Sequence, residues 1–197
     1  GAAAEIGGAR GPFRLHTEEL KIELDALVRE HRIRPFLHTV GAAPLLRDGA
    51  LRAVAIENKN GRSAVGARLF VDATGDGDLA RALGVPSAPA GPLQPPSLCA
   101  KIQGLATLGG FDWQAAVREH GREFGLAPDW GWGESVPGLA DVQARADTHV
   151  FGVDGADADQ LTAAEMEARR QVRALLDCVR RYGPPGAAVG VVDLAAT

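Results

Sequence analysis

The sequence has few of the residues that build metal sites and disulfide frameworks. It holds only two cysteines among 197 residues, Cys99 and Cys178, and they form no CxxC pair. A disulfide framework and a four-thiolate iron–sulfur or zinc site are therefore disfavoured, and we expect two buried thiols in a cytoplasmic protein. Its five histidines form no HxxxH or HExxH pattern, so no metal site is expected, and no serine has the GxSxG setting of a hydrolase.

Excess positive charge and long apolar runs are also missing. The net charge is −4 and the isoelectric point is near 5.7, so the basic face that a nucleic-acid-binding protein needs is not expected. No apolar run approaches the roughly 18 residues of a membrane helix. A hydrophobic content of 46% is ordinary for a globular protein. The partners that we expect are small molecules rather than nucleic acids or membranes.

The first half of the chain has the pattern of a helix followed by a β-meander. Apolar spacing predicts a helix over 17–31 that Thr17 caps, and Pro35 ends it. Two hairpin signals, Asp48-Gly49 and Asn60-Gly61, separate β-prone runs. The predicted strands are 36–40, 43–48, 50–57, 62–66 and 68–73, and a short helix follows at 77–84.

The second half is dominated by one long amphipathic helix, LTAAEMEARRQVRALLDCVRRY, at residues 161–182. Thr162 and Glu165 match a capping box, and Gly183 before two prolines ends the helix. Its predicted buried stripe consists of Val172, Leu175, Leu176 and Val179. Between the two halves the sequence predicts a strand over SLCAKIQGL, residues 97–105, and a helix that Asp112 caps. Taken alone, the chain is of the α+β class.

The stretch DATGDGD, residues 72–78, joins the last predicted strand of the first half to its short helix. Calcium is one interpretation, because Asp72, Thr74, Asp76 and Gly77 match positions 1, 3, 5 and 6 of an EF-hand loop. Position 12, which needs a bidentate glutamate, is Leu83. A calcium site here is therefore short of charge and of ligands.

Three other interpretations of this stretch stay open on the residues alone. GDGDLA, residues 75–80, matches the GxGxxA of a phosphate loop, but Asp76 and Asp78 would repel a pyrophosphate, and Pro95 and Pro96 stand where an acidic strand end is expected. The aspartates could instead accept hydrogen bonds from ligand hydroxyls while the glycines admit the ligand to the backbone; FAD has both hydroxyls and a pyrophosphate. The last interpretation is a turn that caps the helix from Asp76 or Asp78.

Several ordered pieces of the chain resemble bacterial FAD-dependent oxidoreductases of the two-dinucleotide-binding-domain flavoprotein superfamily. They are FRLHTEELKIELDALVREHRIRPFLHT, VAIENKNGRSAVGARLFVDATGDGDLARALGVP and DADQLTAAEMEARRQVRALLDCVRRYGPPG. The resemblance implies an FAD/NAD(P)-binding α/β flavoprotein fold, to which this chain contributes a β-meander plus helices. It assigns residues 1–86 to the FAD-binding domain and residues 87–197 to a partial substrate or cap domain.

The resemblance also implies a cofactor contact. It places Ala73, Thr74 and Gly75 against FAD through the main chain, Asp76 close to them, and Val40 near the adenine. The reaction that it implies is hydride or electron transfer through flavin, to or from an unknown small molecule, with no catalytic side chain assigned.

Family members begin with a GxGxxG segment, and we expect this chain to be an internal segment that lacks it. By itself it would then bind FAD weakly or not at all and be inactive as an enzyme, and its uncovered sheet edges would favour a homo-oligomer. The rival hypotheses are a non-enzymatic α+β ligand-binding or interaction domain and a calcium-binding module that uses Asp72–Asp78.

Overall fold

The computed structural model describes residues 15–86, 93–127 and 131–195 and has the predicted α+β architecture. The chain forms two compact units. Unit 1 consists of Gly1–Asp25 and Leu93–Thr197, and unit 2 is the continuous segment Ala26–Pro92. The boundary at residue 25 falls inside the first helix, α1, which runs over Thr17–Glu30.

Unit 2 contains the predicted meander, with strands β1 (Val40–Arg47), β2 (Ala50–Asn58) and β3 (Gly61–Gly66) in sequential antiparallel order. The first hairpin turn is Asp48-Gly49, and both residues have positive φ, 53° and 72°. That is the signature of a type I′ turn. The second turn is centred one residue earlier than predicted, because Asn58 pairs with Gly61 and only Gly61 has positive φ. A tight turn followed by a glycine bulge fits this pattern.

Two of the predicted strands in this unit are wrong. Residues 36–40 contain a turn at 37–38, and β1 begins only at Val40. Residues 68–73 run outside any sheet, because no described strand pairs with them, and a strand is stable only when a neighbour takes its backbone hydrogen bonds. Leu69 and Val71 are 80% and 79% exposed. The short helix α2 (Asp78–Ala82) follows and lies beside β1.

Unit 1 is built on a four-stranded antiparallel sheet with the order β5-β6-β4-β7. Its strands are β4 (Ala100–Gln103), β5 (Trp132–Ser135), β6 (Val142–Ala146) and β7 (Gly190–Leu194). Strand β4 lies where the sequence predicts one. Strand β5 was missed because its glycine- and tryptophan-rich sequence is typical of a loop, whereas its pairing with β6 makes it a strand.

Two helices cover this sheet and complete its core. Helix α3 (Trp113–His120) begins after Asp112, whose carboxylate accepts a hydrogen bond from the Ala115 N–H at 2.9 Å, as predicted. Helix α4 (Ala158–Tyr182) packs against α3. The predicted stripe is confirmed, because all four of its side chains are buried in the core with residues of β4 and α3: Val172, Leu175, Leu176 and Val179. Each such side chain contributes about 1.5–3 kcal/mol relative to full exposure.

The caps of both long helices differ from the prediction. Helix α4 begins four residues before Thr162, and Asp157 caps it by accepting hydrogen bonds from the N–H groups of Asp159 and Gln160. The Thr162 hydroxyl instead donates to the Ala158 carbonyl inside the helix. In α1 the side chain that accepts from the Glu19 N–H is His16 rather than Thr17. In α4 the capping box is misread because an aspartate, a strong N-cap residue, precedes it.

The two cysteines are free thiols in different surroundings. Cys178 is fully buried in the core of unit 1, and burial raises the pKa of its thiol. Cys99 is exposed, so the predicted burial holds for one thiol only. None of the helices in the described ranges is long and apolar enough to cross a membrane.

Candidate functional site

The candidate cofactor site is the loop of residues 73–77 in unit 2, between the extended segment and α2. Its shape is set by the side-chain hydrogen bonds of Asp72, which directly precedes the loop, and of Thr74 within it. One carboxylate oxygen of Asp72 accepts from the Thr74 N–H at 3.2 Å and from the Thr74 hydroxyl at 2.8 Å, and the other accepts from the Ala80 N–H at 2.9 Å. The Thr74 Oγ1 in turn accepts from the Asp78 N–H at 2.9 Å.

These hydrogen bonds have an electrostatic consequence for Asp72. The Ala80 N–H, the Thr74 hydroxyl and the other donors lower the pKa of its carboxyl below the ordinary 3.8. Accepted hydrogen bonds favour the charged form, so the carboxylate is ionised near neutral pH. Because its oxygens are already engaged by the protein, Asp72 offers little to a metal ion or to a sugar hydroxyl.

The arrangement also decides which residue caps the short helix. Asp72 and Thr74 satisfy its first N–H groups, whereas the sequence interpretation assigned that role to Asp76 or Asp78. That assignment was wrong, because Asp72 and Thr74, which precede the glycines, accept the hydrogen bonds from the helix start. The N–H groups of Asp78 and Ala80 are therefore already engaged and are not available to a phosphate at this helix start.

What remains open to a ligand is the middle of the loop. In the described ranges no acceptor takes a hydrogen bond from the backbone N–H groups of Gly75 and Asp76, and both residues are exposed. Gly75 has φ of 96°, and a Cβ built on it would meet no atom within 4 Å. Backbone donors under open space fit a ligand that contacts the main chain, as FAD would.

The predicted cofactor residues therefore fall into one contiguous group and one separate residue. Ala73, Thr74, Gly75 and Asp76 follow one another in the loop. Val40 is the first residue of β1, pairs with Glu57 and is 68% exposed. Helix α2, which leaves the loop, lies beside β1, but no hydrogen bond joins Val40 to the loop in the described part of the chain.

The structure gives the calcium interpretation no support. The described residues contain no group of three or more acidic, histidine or cysteine side chains that could hold a metal ion. The first ligand of such a loop would be Asp72, whose oxygens bind backbone and hydroxyl donors instead.

Comparison with known proteins identifies the family. The family model described as FAD dependent oxidoreductase matches residues 5–197. The chain belongs to this family. FAD is accordingly its cofactor, and the backbone of the loop at 73–76 fits the main-chain contact expected for it. Neither the curated proteins nor the solved structures include a significant match.

Proposed function

We propose that this chain is a flavin-binding segment of an FAD-dependent oxidoreductase in which the loop at residues 73–76 contacts the FAD nucleotide through its main chain. The observation that carries the proposal is the pair of backbone N–H groups at the exposed residues Gly75 and Asp76, for which the described residues offer no acceptor, together with the open space around a Cβ built on Gly75. The family match over residues 5–197 supports the cofactor. Val40, at the start of β1, is proposed as a further main-chain contact, to the adenine.

We propose that the two parts of the chain belong to different domains, as the family resemblance implies. Residues 1–86 contribute to the FAD-binding domain and residues 87–197 to a substrate or cap domain. Bound flavin supplies hydride or electron transfer to or from a small-molecule substrate. Ala73–Asp76 hold the nucleotide, and Asp72 and Thr74 position that loop. The free thiols of Cys99 and Cys178 support a cytoplasmic location.

The test uses the protein expressed from its complete reading frame, with the 197-residue chain beside it. We expect the long protein to be yellow and to bleach on reduction, and the chain alone to bind little FAD. A long protein that stays colourless after reconstitution with FAD would contradict the proposal and favour the non-enzymatic ligand-binding domain. Sedimentation of the chain in the same experiment checks the predicted homo-oligomer.

A matched pair of glycine variants tests the loop itself. Gly75→Val places a side chain in the open space above the loop, and its φ of 96° disfavours the new residue. Gly49→Val carries a comparable conformational penalty at φ of 72° in the first hairpin turn, where its Cβ also meets nothing. We expect Gly75→Val to lower flavin content per mole of the long protein by about tenfold and Gly49→Val to leave it unchanged. Equal losses would mean that strain, and not a flavin contact, causes the effect.

A further inference from the structure

We infer that unit 1 contains a binding cleft for a small uncharged molecule that carries a carbonyl or amide oxygen. The cleft has a volume of about 350 Å³, within the size range of small-molecule pockets. Its walls come from the segment 105–112, the start of α3 and strands β5 and β6. This inference does not depend on the flavin contact in unit 2.

The polar group at this cleft is an immobilised guanidinium, that of Arg145 on β6. Asp147 accepts from its Nε at 2.6 Å and from its Nη2 at 3.0 Å, and Gln143 accepts from its Nη1 at 3.0 Å. The guanidinium carbon lies 4.8 Å from the centre of the Trp113 ring. The side chains of Arg145 and Asp147 are 10% and 8% exposed. Residues 143, 145 and 147 alternate along the chain, so β-strand periodicity places them on one face.

Two glycines leave the space that this guanidinium group needs. A Cβ on Gly133, which pairs with Arg145 in the sheet, would come within 2.6 Å of the Arg145 Nη1. A Cβ on Gly131 would overlap the Asp147 carboxylate. A buried ion pair is weak evidence for stability, since desolvation offsets much of the attraction. Gly133, which leaves room for the arginine of such a pair beside a cleft, therefore points to recognition rather than to stability.

The donors at this site outnumber the acceptors. Arg145 uses three of its five N–H groups in the hydrogen bonds above, which leaves one each on Nη1 and Nη2. The only described side-chain hydrogen bond of Gln143 is the one that its oxygen accepts from Arg145, so its NH₂ has no acceptor in the described residues; Trp113 lines the cleft, and its buried Nε1–H also lacks one. A ligand that brings an acceptor oxygen is the one that such a wall recognises.

The charged groups around the cleft indicate whether the acceptor of the ligand is a carboxylate or a neutral oxygen. The cleft wall also contains Asp112, so the charged groups nearby are two carboxylates and one guanidinium. This excess of one negative charge disfavours an anion. Leu105, Leu108 and Phe111 supply the apolar part of the lining. Because the accessible lining is mainly polar, the ligand class is a small polar molecule that carries a neutral carbonyl or amide group.

The probe is benzamide, titrated into the ¹⁵N-labelled chain, with benzoate and toluene as its charged and apolar counterparts. The readouts are the Trp113 indole N–H signal, assigned by its loss in Trp113→Phe, and the Arg145 Nε–H signal. We expect saturable shifts with benzamide and at least about tenfold weaker binding of the other two. The absence of saturable shifts, or binding of benzoate or toluene as tight as that of benzamide, would overturn the inference.

Two pairs of variants separate binding from folding. Gly133→Ala displaces the Arg145 Nη1, whereas Gly190→Ala adds the same methyl group to β7 where nothing lies within 4 Å. Gln143→Leu removes the side-chain amide beside Arg145, whereas Gln103→Leu changes an exposed glutamine of β4 in the same sheet. We expect about tenfold weaker benzamide binding in Gly133→Ala and Gln143→Leu and no change in their controls. Equal affinity in a variant and its control would contradict the proposed cleft.

Discussion

The two units of this chain bury their apolar side chains to very different extents. In unit 1 the cluster around α4 includes Cys178 and Val179, both with no exposed surface. In the described part of unit 2 the only buried hydrophobic residues are Ala55 and Ile56, while Leu69 and Val71 are about four-fifths exposed. Unit 1 places helices on its sheet, whereas most residues of β1 and β3 in unit 2 are exposed. Hydrophobic patterning can therefore specify strands and turns without supplying a core.

The largest expected effect concerns the ion pairs of the two units. Asp147→Ala leaves Arg145 as a buried charge without its partner, and we expect the free energy of unfolding to fall by about 3–5 kcal/mol. Glu57→Ala breaks the pair with Arg62 across β2 and β3, whose side chains are 50% and 71% exposed, and should cost less than about 1 kcal/mol. Urea unfolding of both variants measures the difference. Similar losses would show that the two units do not differ in the burial of charge.

The next effect concerns one leucine from each unit. Leu175 is 4% exposed in the core of unit 1, so Leu175→Ala should lower the free energy of unfolding by about 2–5 kcal/mol. Leu69 is 80% exposed, and Leu69→Ala should change it by no more than about 0.5 kcal/mol. Denaturant melts followed by circular dichroism give both values. A large loss for Leu69→Ala would reveal a core in unit 2 that the structure does not show.

The smallest expected effect is a pH dependence of the loop in unit 2 that Asp72 stabilises. Because the folded-state pKa of Asp72 lies below its ordinary 3.8, this carboxylate stabilises the loop above about that pH, and the contribution is lost as the pH falls through the lower, folded-state pKa. We expect the Ala80 amide signal to shift in that acidic range in the wild-type chain and to lose this transition in Asp72→Asn. An Asp72 carboxyl that titrates at or above its ordinary pKa would contradict the hydrogen-bonded loop.

Much of the fold could be predicted from local patterns, and the failures have a common physical cause. The meander, the start of α3 at Asp112 and the buried stripe of α4 follow from turn chemistry, capping and periodicity. The segment 68–73 has the composition of a strand but no described partner, and β5 has the composition of a loop but pairs with β6. Pairing is a tertiary property, so composition alone misassigned both segments.

The two candidate sites, the loop in unit 2 and the cleft in unit 1, also differ in how much of each the sequence reveals. The DATGDGD loop is visible in the sequence because its residues are contiguous, although the sequence did not reveal that Asp72 is engaged within the loop. The cleft in unit 1 was missed because its residues come from α3, β5, β6 and the segment 105–112. Its one sequence signal is the alternation of Gln143, Arg145 and Asp147, which on its own also fits an exposed strand face.

Gly133 on β5 links residues that are distant in the sequence. Gly133 and Arg145 lie on different strands, yet a side chain at position 133 is compatible with the observed arginine conformation only if that arginine moves. At Gly131 a Cβ would overlap the Cα of Asp147 as well as its carboxylate, so replacing the aspartate would not open that position. We expect positions 133 and 145 to covary during evolution, with larger residues at 133 found where the arginine has been replaced. Gly133 is therefore a sequence marker of the arginine beside it, and a set of related sequences would show whether the glycine and the arginine were gained together.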